Sequence, residues 1–256
     1  MSSFKVMQFN MQFGQVWDEA DPDHAPVDLE QAIGEIRRHD ADIVLLQEVE
    51  QAQAGGKQAE PPRNFSRIAQ ALPGYEGYFA YPKSDPRELP FGIGLAILSK
   101  APLRAQTRRE LVSPPIEFEF EGKTMTPTDR LLIGAVTTVQ GREVRVFDTH
   151  LLAFFMLKSS SEQHLMQRKT VLAALHEQGG PTILAGDFNV SNHQSLLRQF
   201  GDGGFHSVIT REVTWRRRPY VLDHIFYSKE LRAVSHRVLP TPASDHHIVV
   251  AEFEFK

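Results

Sequence analysis

Six apolar runs in this chain each stop at, or start from, a residue able to hold a metal ion or a proton, and that repetition restricts the fold more than any other feature. Asn10 follows "VMQF", Glu48 follows "IVLLQ", His150 follows "VRVFDT", and Asp187 and Asn189 follow "TILAG". Asp223 interrupts "YVLDHIFYS", and Asp245 with His246 opens "SDHHIVVAEF". Short apolar runs of this length read as strands buried in a sheet. Strand ends collect along the rim of a sheet, where sites are assembled from several strands. A lone Asp or Asn at such an end is ordinarily a turn residue. Six strands behaving alike, with no Lys among the terminating groups, describe a shared site.

The rest of the pattern supplies the scaffold. Phe4–Phe9 reads as a strand, and "APVDLEQAIGEIRRHD" as a helix N-capped by Asp28 with Leu29, Ile33 and Ile36 on one face. "ADIVLLQEVE" has the continuous apolar run of a strand covered on both faces. "QAQAGGKQAEPPR" and "PKSDPRELP" are loops by composition. A helix is predicted near Phe65–Ala71, with strands near Tyr75–Tyr81, over "GIGLAILSK", and over Leu103–Leu111, Leu131–Val139 and Val144–His150. "SSSEQHLMQRKTVLAALHEQ" is predicted as one helix with a serine cap, and "HQSLLRQF" as a short one. "VLDHIFYS", "LRAVSHRVL" and "HHIVVAEFEF" close the chain as strands. Helices falling between groups of more numerous strands imply one α/β domain over residues 1–256, with stacked sheets and helices outside. No repeat, low-complexity segment or linker argues for a division.

Charge and cysteine content narrow the chemistry. The net charge is −4, so no global basic field advertises a polyanion, and attraction to a phosphate compound must be local or carried by a metal. The absence of cysteine excludes disulfides, thiolate catalysis and Cys-ligated zinc. "MSSFKVMQFN" lacks the basic start and apolar run of a signal peptide, and no run suits a membrane span. A cytoplasmic enzyme of a reducing compartment fits these facts.

Glu48 and Asp245 are hard oxygen donors suited to Mg²⁺ or Mn²⁺, which leaves positions for water and phosphate oxygen. Asn10 and Asn189 are neutral groups that can hold a phosphate or orient a water. Asp187 can accept a proton from an attacking water, and His150 and His246 can donate to a phosphoryl oxygen. Asp223 can stand behind His246 and favour its protonated form. Together these suit water attack on a phosphate ester with a metal as Lewis acid. Neighbouring residues carry blander readings. His247 faces away from His246 by strand period, Glu50 is expected to be solvated at the start of a loop, and Asp148 either touches the site or hydrogen-bonds the strand edge. Arg216, Arg217 and Arg218 are either a solvated charge run or a phosphate contact, and Trp215 either stacks on a base or caps the core.

The segments "FNMQFG", "DIVLLQEVE", "GIGLAILSK", "FDTHLL", "ILAGDFNV", "VLDHIFYS" and "SDHHIVVAEF", in this order over residues 4 to 255, make the chain resemble the endonuclease/exonuclease/phosphatase superfamily. Its members include deoxyribonuclease I, exonuclease III-type nucleases, bacterial sphingomyelinases and inositol polyphosphate 5-phosphatases. The resemblance implies a four-layered αββα sandwich of two mostly antiparallel sheets, and divalent-metal-dependent phosphoester cleavage. Carried over by position, it implies metal and phosphate placement by Asn10, a principal metal carboxylate at Glu48 and a phosphate-contacting His150. It further implies a water-aligning Asp187 beside Asn189, a late-strand Asp223, and a closing Asp245–His246 pair whose His is either base or phosphate binder. Two departures stand out: Gln12 sits where the exonuclease III branch has an acid, and Val221 where the family often has Arg. "WRRRP" just upstream is a second source of that positive charge.

The substrate expected is a phosphate ester cleaved in nuclease-like fashion, with DNA or RNA among the candidates. Lipid-headgroup diesters and small phosphate esters are the alternatives, and an inactive binding protein of the same fold is a more distant one. "TRR" and "WRRRP" are the only dense basic clusters, which argues as much for short or single-stranded nucleic acid as for long duplex. The apolar "HLLAFFML" after His150 would meet an acyl chain on a lipid phosphodiesterase and is a packed loop otherwise. Neither an integral membrane association nor an obligate protein partner is expected.

Overall fold

The computed structural model describes residues 3–256, so the first two residues of the expected domain lie outside the described part. In chain order the strands are β1 (Phe4–Asn10), β2 (Ile43–Gln51), β3 (Glu76–Ala80), β4 (Gly92–Ser99), β5 (Arg104–Leu111), β6 (Phe118–Phe120), β7 (Lys123–Met125), β8 (Arg130–Val139), β9 (Arg142–His150), β10 (Thr182–Asp187), β11 (Phe205–Ser207), β12 (Asp223–Ser228), β13 (Leu231–Leu239) and β14 (Ile248–Phe255). The α-helices are α1 (Leu29–His39), α2 (Arg63–Ala71), α3 (Met166–His176) and α4 (His193–Asp202). Two six-stranded sheets form, in the orders β13-β14-β1-β2-β4-β3 and β11-β12-β10-β9-β8-β5, and β6 with β7 makes a separate small hairpin.

Each large sheet is antiparallel except for one central parallel pair, β1/β2 in the first and β9/β10 in the second. Parallel neighbours need a crossover, and α1 and α3 supply the two helices that make it. The apolar periodicity explains the layers. In β1, Phe4 and Val6 face the second sheet, where they meet Ile133, Val146 and Ile183. Met7 and Phe9 alternate to the outer face and pack on Ile33 and Ile36 of α1. On the far side Leu184 and Phe226 meet Val171 and Leu175 of α3 and Leu196 and Phe200 of α4. The result is the four-layered αββα sandwich.

Asp28 caps α1 as its position suggested, accepting from the Glu30 amide at 3.2 Å. The serine-capped helix expected from Ser159 onward is shorter. Its α-helical part begins at Met166 with Leu165 as N-cap and no serine side chain capping it, because 161–163 form a turn in which the Gln163 amide donates to the Ser160 carbonyl at 3.2 Å instead of starting an α-helical ladder. Glu50 is also corrected. It is 4% exposed and accepts from the Phe65 amide at 2.9 Å, capping α2 rather than sitting in solvent. A register shift between Gln47 and Glu50 is the cause, since it breaks the alternation that would have put Glu48 and Glu50 on one face. The hairpin of β6 and β7 and the three-residue β11 had no periodic signal long enough to read.

Candidate active site

Both parallel pairs point their C-terminal ends to the same rim, and this topology gathers the polar strand ends. Asn10 ends β1 opposite Gln47 of β2, and Glu48 is the next residue. His150 ends β9 opposite Asp187 of β10, which is itself opposite Asp223 of β12. β14 runs antiparallel to β1, so the Asp245–His246 pair just ahead of it arrives at that rim as well. Glu48 sits at the bulge with φ +51°, which turns its side chain off the strand track toward Asn10. Gly92 across the ladder makes the room. A Cβ there would lie 2.1 Å from Glu48 Oε2.

Asp187 is the hub. Its Oδ2 accepts from Asn10 Nδ2 at 3.1 Å and lies 3.6 Å from His150 Nε2 and 3.7 Å from His246 Nε2. Asn10 Nδ2 also donates to Glu48 Oε1 at 2.9 Å. Asn189 closes the turn after β10: its amide donates to Asp187 Oδ1 at 2.9 Å and its side chain to the Leu151 carbonyl at 3.0 Å. Acid and imidazole atoms of Glu48, His150 and Asp187 lie within 4.8 Å of one another, and so do those of Asp187, Asp223 and His246.

Burial separates the protonation states. It pushes the Glu48 carboxyl up to about 7, against the Asn10 donor and with the Asp245 charge adding. Asp187 rises to about 8 through burial, which the nearby His246 only partly offsets. Burial, with Arg130 and His246 close by, holds His150 well below the usual imidazole range, so it is neutral. Its approaches to Glu48 and Asp187 are therefore contacts without full ion pairing. For His246 burial opposes charge, yet Asp223, Asp187 and Asp245 together raise it well above its usual range, and it is an imidazolium. Asp223 Oδ2 receives its Nδ1–H at 2.8 Å.

Behind the site, the inner faces of β1 and β2 change from apolar to amide. Gln8 Nε2 donates to Asp223 Oδ1 and to Gln47 Oε1, both at 2.7 Å, and Gln47 Nε2 donates to Asp148 Oδ1 at 2.6 Å. Asp148 is thus a fully buried member of a hydrogen-bonded string leading to His246 rather than a rim residue. His247 stands apart from this string, its amide donating to the Thr214 carbonyl.

Asp245 is placed differently from the other acids. Its Oδ2 accepts from Arg217 Nε at 2.6 Å and from Trp215 Nε1 at 3.1 Å, while its Oδ1 is 4.0 Å from His246 Nε2. The arginine run is divided by the tertiary structure. Arg216 donates to the Thr241 carbonyl, Arg217 holds Asp245, and Arg218 is exposed. Trp215 stacks near Tyr220 and packs with Phe155, so it lines the rim as well as bonding Asp245. In "LLAFFML", Leu151, Leu152 and Phe154 are buried and Phe155 packs against Trp215 and Tyr220, while Met156 is exposed. Arg130, not singled out from the sequence, opens β8 beside Leu131, the register partner of His150. An Arg before an apolar strand is ordinary, and only the pairing reveals its place.

The donor set fits a hard divalent cation. Glu48 Oε2 and Asp245 Oδ1 accept no hydrogen bond from a described residue, and burial makes the ionised forms of Glu48 and Asp187 costly, a cost that a bound cation would offset.

A two-sheet sandwich with carboxylates, amides and imidazoles converging on one rim carboxylate defines a hydrolase-type αββα fold. Residues 7–246 match the profile of the Endonuclease/Exonuclease/phosphatase family, and the chain belongs to that family. A UPF0294 protein of Yersinia pseudotuberculosis is 34% identical over 137 residues, covering 50% of this chain and 51% of that protein. One from Vibrio vulnificus is 32% identical over 101 residues, covering 36% of this chain and 34% of that protein. The chain spans about half the length of the first of these relatives, and less of the second. Among solved structures, the human Nocturnin catalytic domain with bound sulfate anion superposes with a TM-score of 0.72 at 23% identity, covering 99% of this chain and 95% of that one. An endonuclease/exonuclease/phosphatase from Beutenbergia cavernae gives 0.74 at 21% identity, covering 100% and 72%. At these identities the likeness is one of fold.

Proposed function

We propose that this chain is a phosphodiesterase dependent on Mg²⁺ or Mn²⁺, nuclease-like, acting by attack of an activated water on a phosphate ester. The observation that carries the reading is the single carboxylate Asp187 reached at once by Asn10, His150 and His246. Glu48 and Asp245, with Asn10 in support, would hold the cation, which when bound supplies Lewis-acid polarisation of the phosphoryl group. In its ionised form, which a bound cation would favour, Asp187 takes the proton of the attacking water, and the Asn189 amide fixes the orientation of its other oxygen. His246, charged and steadied by Asp223, offers Nε2–H to a phosphoryl oxygen as charge builds on it. His150, neutral, contributes a second imidazole contact on the Glu48 side.

Short or single-stranded nucleic acid is the favoured substrate, because a net charge of −4 and an arginine run largely spent on internal contacts leave no stripe for long duplex. A cytoplasmic setting belongs to the same reading. The test is a panel of oligonucleotides, phospholipids and phosphosugars with Mg²⁺ or Mn²⁺, run beside Asp187→Ala and beside EDTA. Cleavage of an oligonucleotide that vanishes in both controls supports the proposal; cleavage that persists in EDTA defeats it.

A further inference from the structure

Arg217 is half-buried and makes more contacts than a surface charge needs. Its Nε donates to Asp245 Oδ2 at 2.6 Å, one terminal nitrogen to Asp23 Oδ1 at 2.5 Å, and the other to the Pro22 carbonyl at 3.2 Å. Asp23 and Asp245 are far apart in sequence, and nothing else among the described hydrogen bonds joins these two side chains. The Trp17 ring lies beneath the same guanidinium, 5.9 Å from its central carbon. Trp17 is itself anchored, its amide donating to the Pro242 carbonyl at 2.8 Å. With Trp215 Nε1 also on Asp245 Oδ2, that oxygen is fully engaged, and Oδ1 is the one left on the His246 side.

We propose that Arg217 is a positioning residue for the cation site: it fixes Asp245 so that Oδ1 stays free on the His246 side, and its second grip on Asp23 and Pro22 ties the 17–23 stretch to that carboxylate. The inference rests on the reading that Glu48 and Asp245 hold the cation. Electrostatics alone predicts the opposite behaviour, which makes the idea testable. A guanidinium beside a cation site repels the cation, so if charge were its only effect, removing it would tighten binding. A residue that orients a ligating carboxylate does the reverse, and loss of such an outer partner typically weakens metal affinity by roughly 10- to 100-fold. Lysine keeps the charge but not the fork that reaches Asp245 and Asp23 together.

The experiment is calorimetric titration of Mn²⁺ into the full chain and into R217M, R217K and E48Q, with thermal melts to confirm folding. The expected result is binding weakened about 10- to 100-fold in R217M and by a smaller factor in R217K. Unchanged or tighter binding in R217M overturns the inference. If R217M does not fold, R217K decides, and affinity equal to the unmodified chain overturns it. E48Q separates the two levels. If E48Q binds Mn²⁺ as the unmodified chain does, the metal reading itself fails. If E48Q loses Mn²⁺ while the Arg217 variants keep it, only the role of Arg217 falls.

Discussion

Glu48→Gln should make the metal-free protein more stable at neutral and mildly alkaline pH, although it removes a residue central to the site. In the fold, burial lifts this carboxyl from an ordinary 4.5 to about 7, with the Asp245 charge adding. A folded pKa above the unfolded one means the neutral acid is the form the fold accepts. Its contribution is therefore fully present below the unfolded value and lost as pH rises through about 7. The gap corresponds to a ceiling of ~3 kcal/mol, because Glu48 and Asp187 act on each other's ionisation. Glutamine keeps the carbonyl that Asn10 Nδ2 needs and carries no charge. Urea denaturation in EDTA at about pH 4 and about pH 8 reads the difference. The variant should match the unmodified chain at the acid end and exceed it by ~1–3 kcal/mol at the alkaline end. Asp187, raised to about 8 in the same direction, leaves a residual slope in both proteins. Mn²⁺ should close or reverse the gap, since the unmodified chain then gains ~2.7 kcal/mol at a hundredfold excess over Kd. A variant less stable than the unmodified chain at both pH values in EDTA would mean that the buried Glu48 carboxylate carries no such cost.

Asp187→Ala and His246→Ala should each lower turnover of a simple phosphodiester with Mn²⁺ by roughly 10²- to 10⁴-fold while circular dichroism stays unchanged, because each removes a proton-handling group and neither is needed for the sheet ladders. Gly92→Ala should cost ~1–3 kcal/mol and weaken Mn²⁺ binding, since its Cβ would fall 2.1 Å from Glu48 Oε2 and must push that side chain off the site; denaturation and calorimetry check the two halves. Gln8→Leu should destabilise the fold by at least ~1–3 kcal/mol, leaving buried acceptors on Asp223 and Gln47 without a donor. Histidine NMR should also show the His246 resonances shifted in that variant, because Asp223 loses the bond that fixes its other oxygen.

Much of this protein was legible in its sequence, for a local reason. Whether Phe9, Leu46 or Leu184 is buried follows from strand alternation and apolar runs within a few residues, so the strands and the polar groups that end them could be read one segment at a time. That Asn10, Glu48, His150, Asp187, Asp223 and His246 share a rim needed in addition only the rule that strand ends gather. What escaped was set by partners distant in the chain. Glu50 became a buried helix cap because a bulge reversed its face, and Arg130 reached the site because β8 pairs with β9 in one particular register. Arg217 turned inward to Asp245 and Asp23 while Arg218 beside it stayed exposed. Three consecutive arginines have the same local propensity and charge, so nothing within their own segment can distinguish them. Only the packing of β14, the 17–23 stretch and the loop before β12 against one another decides which guanidinium is desolvated and which acid it must satisfy.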